Sequence, residues 1–414
     1  MKSGVMRALA GAVVGLAAVS GMALPAAPAR AQVRFAVSTA GGRGAMTPVG
    51  RSSFKDYTKL LALTDDQTQS ATDLFEGYRA AYQVAKDEHD AKVQTISENM
   101  QESGDFQASI KQMQEEGGKF AEKSGKLEES FMNDLKALLT DKQSEKWSGV
   151  ERHRRRETSL RQSFYSGAGV DLVSMVEKMK ADPGTPEFAA LLEQYEMDMD
   201  RRLQESSRQM QDAAGENKKN DPMDFGAQQE MLKKMGESSK TVRDLNRDYV
   251  KRLAVLMDAE HKADFEREFS KRSFPDVYRE SHTEQCLKAA AAMPDLDTTQ
   301  KETISNLLTQ YQRDALPLNE AWAKAINDAE EDAGGTMLME MSKWSGGGQK
   351  DDLKKSRANR KELDSKTRAR LDEVLGPSQR EKLPPKKPSE DGPGVRIKIG
   401  GMGGGGVEGD EGEE

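Results

Sequence analysis

"YTKLLALTDDQ" (57–67) and "DLKALLTDKQSEKW" (134–147) carry one phrase, leucine-threonine-x-x-glutamine, twice within a single stretch of chain. Fainter forms follow at "PDLDTTQ" (294–300) and "LDEVLGPSQREKL" (371–383). The phrase has the chemistry of a helix start. A threonine hydroxyl at the N-cap accepts from the third helical amide, and a glutamine at that third position reaches back to the N-cap amide. Thr64 and Gln67 fit these roles behind Leu63, as do Thr140 and Gln143 behind Leu139. Asp65 and Asp66 suit the positive end of the helix dipole. The degenerate copies keep the physics with other letters: Asp297 caps with Gln300 third, and Gly376 caps with Pro377 at the first position and Gln379 third. In "MDAEH" Asp258 caps and His261 stands third, a weaker box.

A longer period contains these phrases. Leu127, Leu135, Leu139, Gln143 and Trp147 are matched by Leu245, Leu253, Met257, His261 and Phe265, then by Leu363, Leu371, Leu375, Gln379 and Leu383, at a constant step of 118 residues. Upstream, Leu74 and Tyr78 are matched by Leu191 and Tyr195, then by Leu307 and Tyr311. A fixed period of this kind marks tandem structural units. The units span 53–160, 161–280 and 281–385, and the second has Gly184 where the others place Gln67 and Gln300. Ala71, Leu74, Phe75, Tyr78, Ala81, Tyr82 and Ala85 form one apolar helical stripe. Alternating β-branched runs are absent, so the fold class is all-α. Breaks are expected at "ESGD" (102–105), "EEGGK" (115–119), "AAGENKKNDPMDFG" (213–226), "DAGG" (332–335) and "SGGGQ" (345–349), making each unit a helical hairpin with short helices at its ends.

At these residues the chain resembles the LTxxQ periplasmic proteins typified by Spy and CpxP. "LALTDDQTQSATDLFEGYRAAY" is similar to their opening helix and "LLTDKQSEKWSGVERHRRR" to their closing one. The resemblance is good in the first unit, partial in the third and poor in the second. It implies all-α hooked hairpins that dimerise into a cradle. It also implies a role as an ATP-independent chaperone, a regulator of an envelope-stress sensor, or a zinc-responsive relative. Three units in one chain and a net charge of −8 depart from the family's dimer and its basic cradle, which leaves the oligomeric state open.

Composition agrees with long solvated helices: charged residues are 32% and aromatics 6% of 414. The acidic balance gives no general drive toward nucleic acid. "MKSGVMR" followed by an apolar run and Ala29-Arg30-Ala31 reads as a signal peptide, residues 1–31, cleaved before Gln32. The mature chain is then periplasmic or secreted, with no stable membrane insertion. Residues 32–52 read as a linker, and 386–414, Gly-rich and acidic, as a disordered tail.

No nucleophile elbow, phosphate loop or metalloprotease helix is present, so no catalytic residue, cofactor or metal is expected and an enzyme is not. His282 and Cys286 stand four residues apart, a spacing for two ligands on one helix face, but two ligands make no structural zinc site. Candidate client-binding residues are Met223, Met231 and Met235, because flexible thioethers adapt to varied apolar segments. Arg154 and Arg155 in the basic cluster "ERHRRRE" (151–157) join them, for an acidic client. Against these stand the plainer readings, methionines filling gaps in a thin core and arginines on a solvated helix end. The expected partners are unfolded or partly folded envelope proteins, or a sensor's periplasmic domain. A helical spacer without clients is the remaining alternative.

Overall fold

The structure is a computed structural model that describes residues 47–217, 225–344 and 350–386. The expected signal peptide, Met223 and residues 387–414 of the expected tail lie outside the described residues. Every regular element among the described residues is a helix.

The first unit runs α1 (Arg51–Leu61), α2 (Asp65–Ser103), α3 (Phe106–Ala137), α4 (Asp141–Ser144) and α5 (Trp147–Ser159). The second runs α6 (Leu172–Met179), α7 (Pro186–Asn217), α8 (Phe225–Val255) and α9 (Ala259–Ser273), and α10 (Pro275–Tyr278) follows it. The third runs α11 (His282–Ala291), α12 (Thr298–Ala333), α13 (Thr336–Trp344), α14 (Asp351–Val374) and α15 (Pro377–Arg380). The plan is the same each time: a short helix, a long pair packed side by side as α2–α3, α7–α8 and α12–α14, and a short closing segment.

The 118-residue period is a period of burial. Leu135, Leu253 and Leu371 are each 0% exposed, and Trp147, Phe265 and Leu383 are buried with them. Each unit has its own core. Phe54, Phe75, Tyr78 and Phe131 stack in the first, with Phe54 and Phe75 centroids 4.4 Å apart. Phe188, Tyr195, Leu253 and Phe265 centre the second, and Leu287, Ile304, Tyr311 and Leu371 the third.

The α2–α3 turn follows from two residues. Gly104, at φ 70°, ends α2 in the left-handed region that glycine enters without a Cβ penalty. Asp105 then caps α3 by accepting from the Ala108 amide at 3.0 Å. The break expected at 115–119 does not occur, since α3 runs through Gly117 and Gly118. Gly117 is buried on the face that carries Phe120 against α2, where packing outweighs its low helix propensity. Similarly, α7 continues to Asn217, inside the expected break at 213–226. The first unit also begins earlier than 53. Residues 47–52, expected in the linker, are structured: Val49 is fully buried and Arg51 opens α1.

Beyond the first core, the α2–α3 seam is carried by Tyr82, Ala85 and Phe120. The His89 ring lies flat on Phe120, with centroids 4.6 Å apart and planes 8° from parallel. Its Nδ1 is buried without a hydrogen-bond partner, and burial pushes its pKa below the usual histidine value. The unfolded chain therefore binds the proton more readily, and stability is lost as pH falls through about 6.5 toward the lower folded value. A histidine NMR titration should place His89 below the exposed His261. Protection factors for amide exchange across residues 85–120, corrected for the slower intrinsic exchange at low pH, should fall between pH 7 and pH 5, and His89→Leu should flatten that dependence.

Candidate functional site

The two phrases of the first unit meet. Thr64 Oγ1 accepts from the Gln67 amide at 3.3 Å, and Gln67 Oε1 accepts from the Thr64 amide at 3.0 Å. Thr140 and Gln143 repeat the box at 3.4 and 3.0 Å. The boxes leave each glutamine its NH₂ group. Gln67 Nε2 donates to the Leu138 carbonyl at 2.7 Å and to Gln143 Oε1 at 2.9 Å. Gln143 Nε2 donates to the Ala62 carbonyl at 3.0 Å and to Gln67 Oε1 at 2.9 Å. Ala62 and Leu138 are the C-caps of α1 and α3, so each glutamine caps its own helix and satisfies an orphan carbonyl of another. The third unit builds the same clasp. Gln300 Nε2 donates to Val374 O at 2.9 Å and to Gln379 Oε1 at 3.1 Å, while Gln379 Nε2 donates to Asp295 O at 3.1 Å. Asp297 closes a full box with Gln300. Gly376 has no side chain to offer, so its box is half made, by Gln379 Oε1 accepting from the Gly376 amide at 2.8 Å.

The second unit has no such pair. Thr185 caps α7 by accepting from the Phe188 amide at 3.3 Å, and Asp258 caps α9 by accepting from the Glu260 and His261 amides at 3.0 Å. His261 Nδ1 lies 2.6 Å from Asp258 Oδ2, and that bond raises the histidine's pKa.

A second repeated device anchors each short first helix. The Tyr78 hydroxyl accepts from the Val49 amide at 3.1 Å, and the Tyr195 hydroxyl accepts from the Leu172 amide at 3.3 Å. Tyr311 meets the Ser281 hydroxyl at 2.5 Å. Burial raises the Tyr78 pKa to about 12. Facing these tyrosines, the partner helix of each long pair supplies Glu128, Asn246 and Asp364, spaced by the same 118-residue step. Asn246 Oδ1 accepts from Tyr195 at 2.9 Å, and Asp364 Oδ1 accepts from Tyr311 at 2.6 Å. Glu128 instead takes Arg154. Sequence reasoning found the tyrosines and missed these partners, because it followed the period only through apolar positions and glutamines. The period itself pointed to them.

The arginines require a correction. Arg154, expected on a client-binding face, is buried. It donates to Glu128 at 2.7 and 2.5 Å, to Glu157 at 2.9 Å and to the Thr47 carbonyl at 2.6 Å. Arg155 is half-buried against Asp200 at 2.7 Å, so it too is occupied within the fold. Arg156 is 2% exposed and bridges Asp171 at 3.2 Å and Glu196 at 2.6 Å. A guanidinium takes this place because its planar fork serves several carboxylates at once. The segment 151–157 is thus a joint that fastens α5 of the first unit to α7 of the second, and it is not a solvated helix end. The second and third units are joined by Glu330. This fully buried carboxylate accepts from the Ser166 amide at 3.0 Å, the Ser166 hydroxyl at 2.7 Å and the Thr336 hydroxyl at 2.7 Å. Beside it Gly236 of α8 passes so close to Gly334 that a Cβ would stand 2.3 Å from the Gly334 carbonyl.

Met231 and Met235 line a small cavity in the α7–α8 seam together with Met210. Cys286 is fully buried, with Arg368 Nη1 donating to its sulfur at 2.8 Å. His282 Nε2 lies 2.9 Å from the Pro384 carbonyl and 3.5 Å from that sulfur, which ties down the end of the third unit. Among the described residues no group of three or more His, Cys, Asp or Glu is placed to hold a metal ion. No helix among them is long and apolar enough to cross a membrane. Comparison of the chain with protein-family models, with curated proteins and with solved structures finds no match.

Two outcomes test these roles. Gln67→Ala and Gln143→Ala should each cost about 0.5–2 kcal/mol, the range for a lost cap. Their double-mutant cycle in thermal unfolding should leave a coupling of about 0.5–1.5 kcal/mol. Arg156→Met should cost about 3 kcal/mol in urea unfolding, at the lower end for a broken buried pair, because Asp171 and Glu196 keep some solvent contact.

Proposed function

We propose that this chain is an exported, ATP-independent chaperone of the Spy/CpxP-like type, acting on unfolded or partly folded envelope proteins. The proposal draws on the signal-peptide-like start and the paired phrases. One observation carries it: large apolar side chains stand exposed on the long helices of all three hairpins. Val84 is 58% exposed, Phe106 59%, Met197 48%, Val255 73% and Leu316 56%, each on a helix otherwise rich in charge. Single exposed apolar residues are ordinary on any surface. Their spread over three hairpins offers weak contacts at several places, each worth roughly 25 cal/mol per Å² of client surface buried. Affinity of that kind holds an unfolded segment reversibly and needs no chemistry.

Regulation of a membrane sensor through the 151–157 segment has less support, because Arg154 is spent inside the first unit and Arg156 inside the joint. The same ion-paired joint is what a helical spacer would need, and that reading is kept as the competitor. At stoichiometric amounts the chain lacking residues 1–31 should slow light scattering by several thermally or chemically unfolded substrates. A variant carrying Val84→Ser, Phe106→Ser, Val255→Ser and Leu316→Ser should lose most of that protection with unchanged helicity and melting temperature. No protection by the unmodified chain would leave the spacer reading standing.

A further inference from the structure

In the α7–α8 seam, Met210 from one helix and Met231 and Met235 from the other close around a cavity of about 10 Å³, room for one atom or ion. Met231 and Met235 stand four residues apart and so share a helix face. All three are half-buried. The third unit shows what packing alone would place there. The 116-residue step from Tyr195 to Tyr311 carries Met210 onto Ile326, and the 118-residue step from Leu253 to Leu371 carries Met235 onto Leu353. Ile326 and Leu353 pack together in a small apolar cluster. The second unit replaces that aliphatic pair with thioethers and keeps a cavity between them.

We propose that Met210, Met231 and Met235 form a binding site for a soft monovalent metal ion, of which Cu(I) is the biological example. Thioether sulfurs are soft, neutral donors that favour Cu(I) and discriminate against hard oxygen-seeking cations. With three neutral ligands the ion's charge stays uncompensated, so a single charge is tolerated better than two. The site lies at the end of the second hairpin where α7 finishes and α8 begins, Met231 standing six residues along α8 from Phe225, and it uses none of the clasp residues.

Silver(I), a redox-inert surrogate, tests the site in chloride-free buffer by NMR of methionine ε-methyl groups labelled with ¹³C. The full chain carries Cys286→Ser, to remove the competing thiol. One equivalent should shift the three methyl signals of Met210, Met231 and Met235 together, while zinc(II) leaves them in place. Met231→Leu should weaken silver binding at least tenfold, and the triple leucine variant should abolish it. Leucine conserves volume well enough for the hairpin to stay folded, which circular dichroism checks. Competition with a bathocuproine chelator should give the same order of variants for Cu(I). Shifts scattered over exposed methionines such as Met197, or a triple variant that binds as tightly as the parent, would overturn the assignment. The methyl readout on the parent protein decides the matter even if a variant unfolds.

Discussion

A primary amide carries an acceptor and two donors on one planar group, and the fold of the first and third units rests on using all of them at once. Gln67 and Gln143 turn their oxygens toward their own helix starts and their NH₂ groups toward the carbonyl ends of α1 and α3. Four helix ends that would otherwise expose orphan backbone groups are closed by two side chains. Glutamate could accept but not donate, and lysine could donate but not accept. The choice of glutamine is therefore a consequence of the crossing, and the threonine that precedes it completes the box. Short helices such as α4, four residues long, have no stability of their own and persist because the clasp holds them.

The middle unit shows what happens when the clasp is dropped. Its helix starts are capped one by one, by Thr185, Asp171 and Asp258, and its ends are held from outside. Arg156 brings α5 onto Asp171 and Glu196, and Glu330 of α12 receives the Ser166 loop. Stability removed from a local motif is supplied by buried charges shared with the neighbouring units. Such pairs cost desolvation and repay it only with full hydrogen bonding, which the forked geometry of Arg156 and the three donors around Glu330 provide. The Tyr195–Asn246 pair keeps the second core aligned with the others, with Asn246 also donating to the Gly167 and Val170 carbonyls at 2.9 and 2.8 Å.

Much of this was legible before any coordinates. The apolar period marked Leu135, Leu253 and Leu371, and all three are fully buried. The capping reading of Thr64, Thr140, Asp297 and Asp258 needed only local physics, because a cap is decided within four residues. The arginines were misread for the opposite reason. Arg154 and Arg156 find carboxylates 26 and 40 residues away, and nothing in "ERHRRRE" distinguishes a cation facing water from one facing Glu128 or Glu196. Gly117 and Gly118 were misread as a break because propensity is a weak prior that a packed face overrides.

The sequence by itself determined that the chain is helical, that its hairpins recur at a fixed step, and where capped helices begin, since each of these is written in spacing and short-range hydrogen bonding. Only the tertiary structure decided that the glutamines cross, that Glu128, Asn246 and Asp364 complete the tyrosine anchors, and that the basic segment is a joint between units. Those outcomes depend on which distant side chains are brought within about 3 Å of one another, a matter of how the long helices pair and dock. No local pattern encodes that distance.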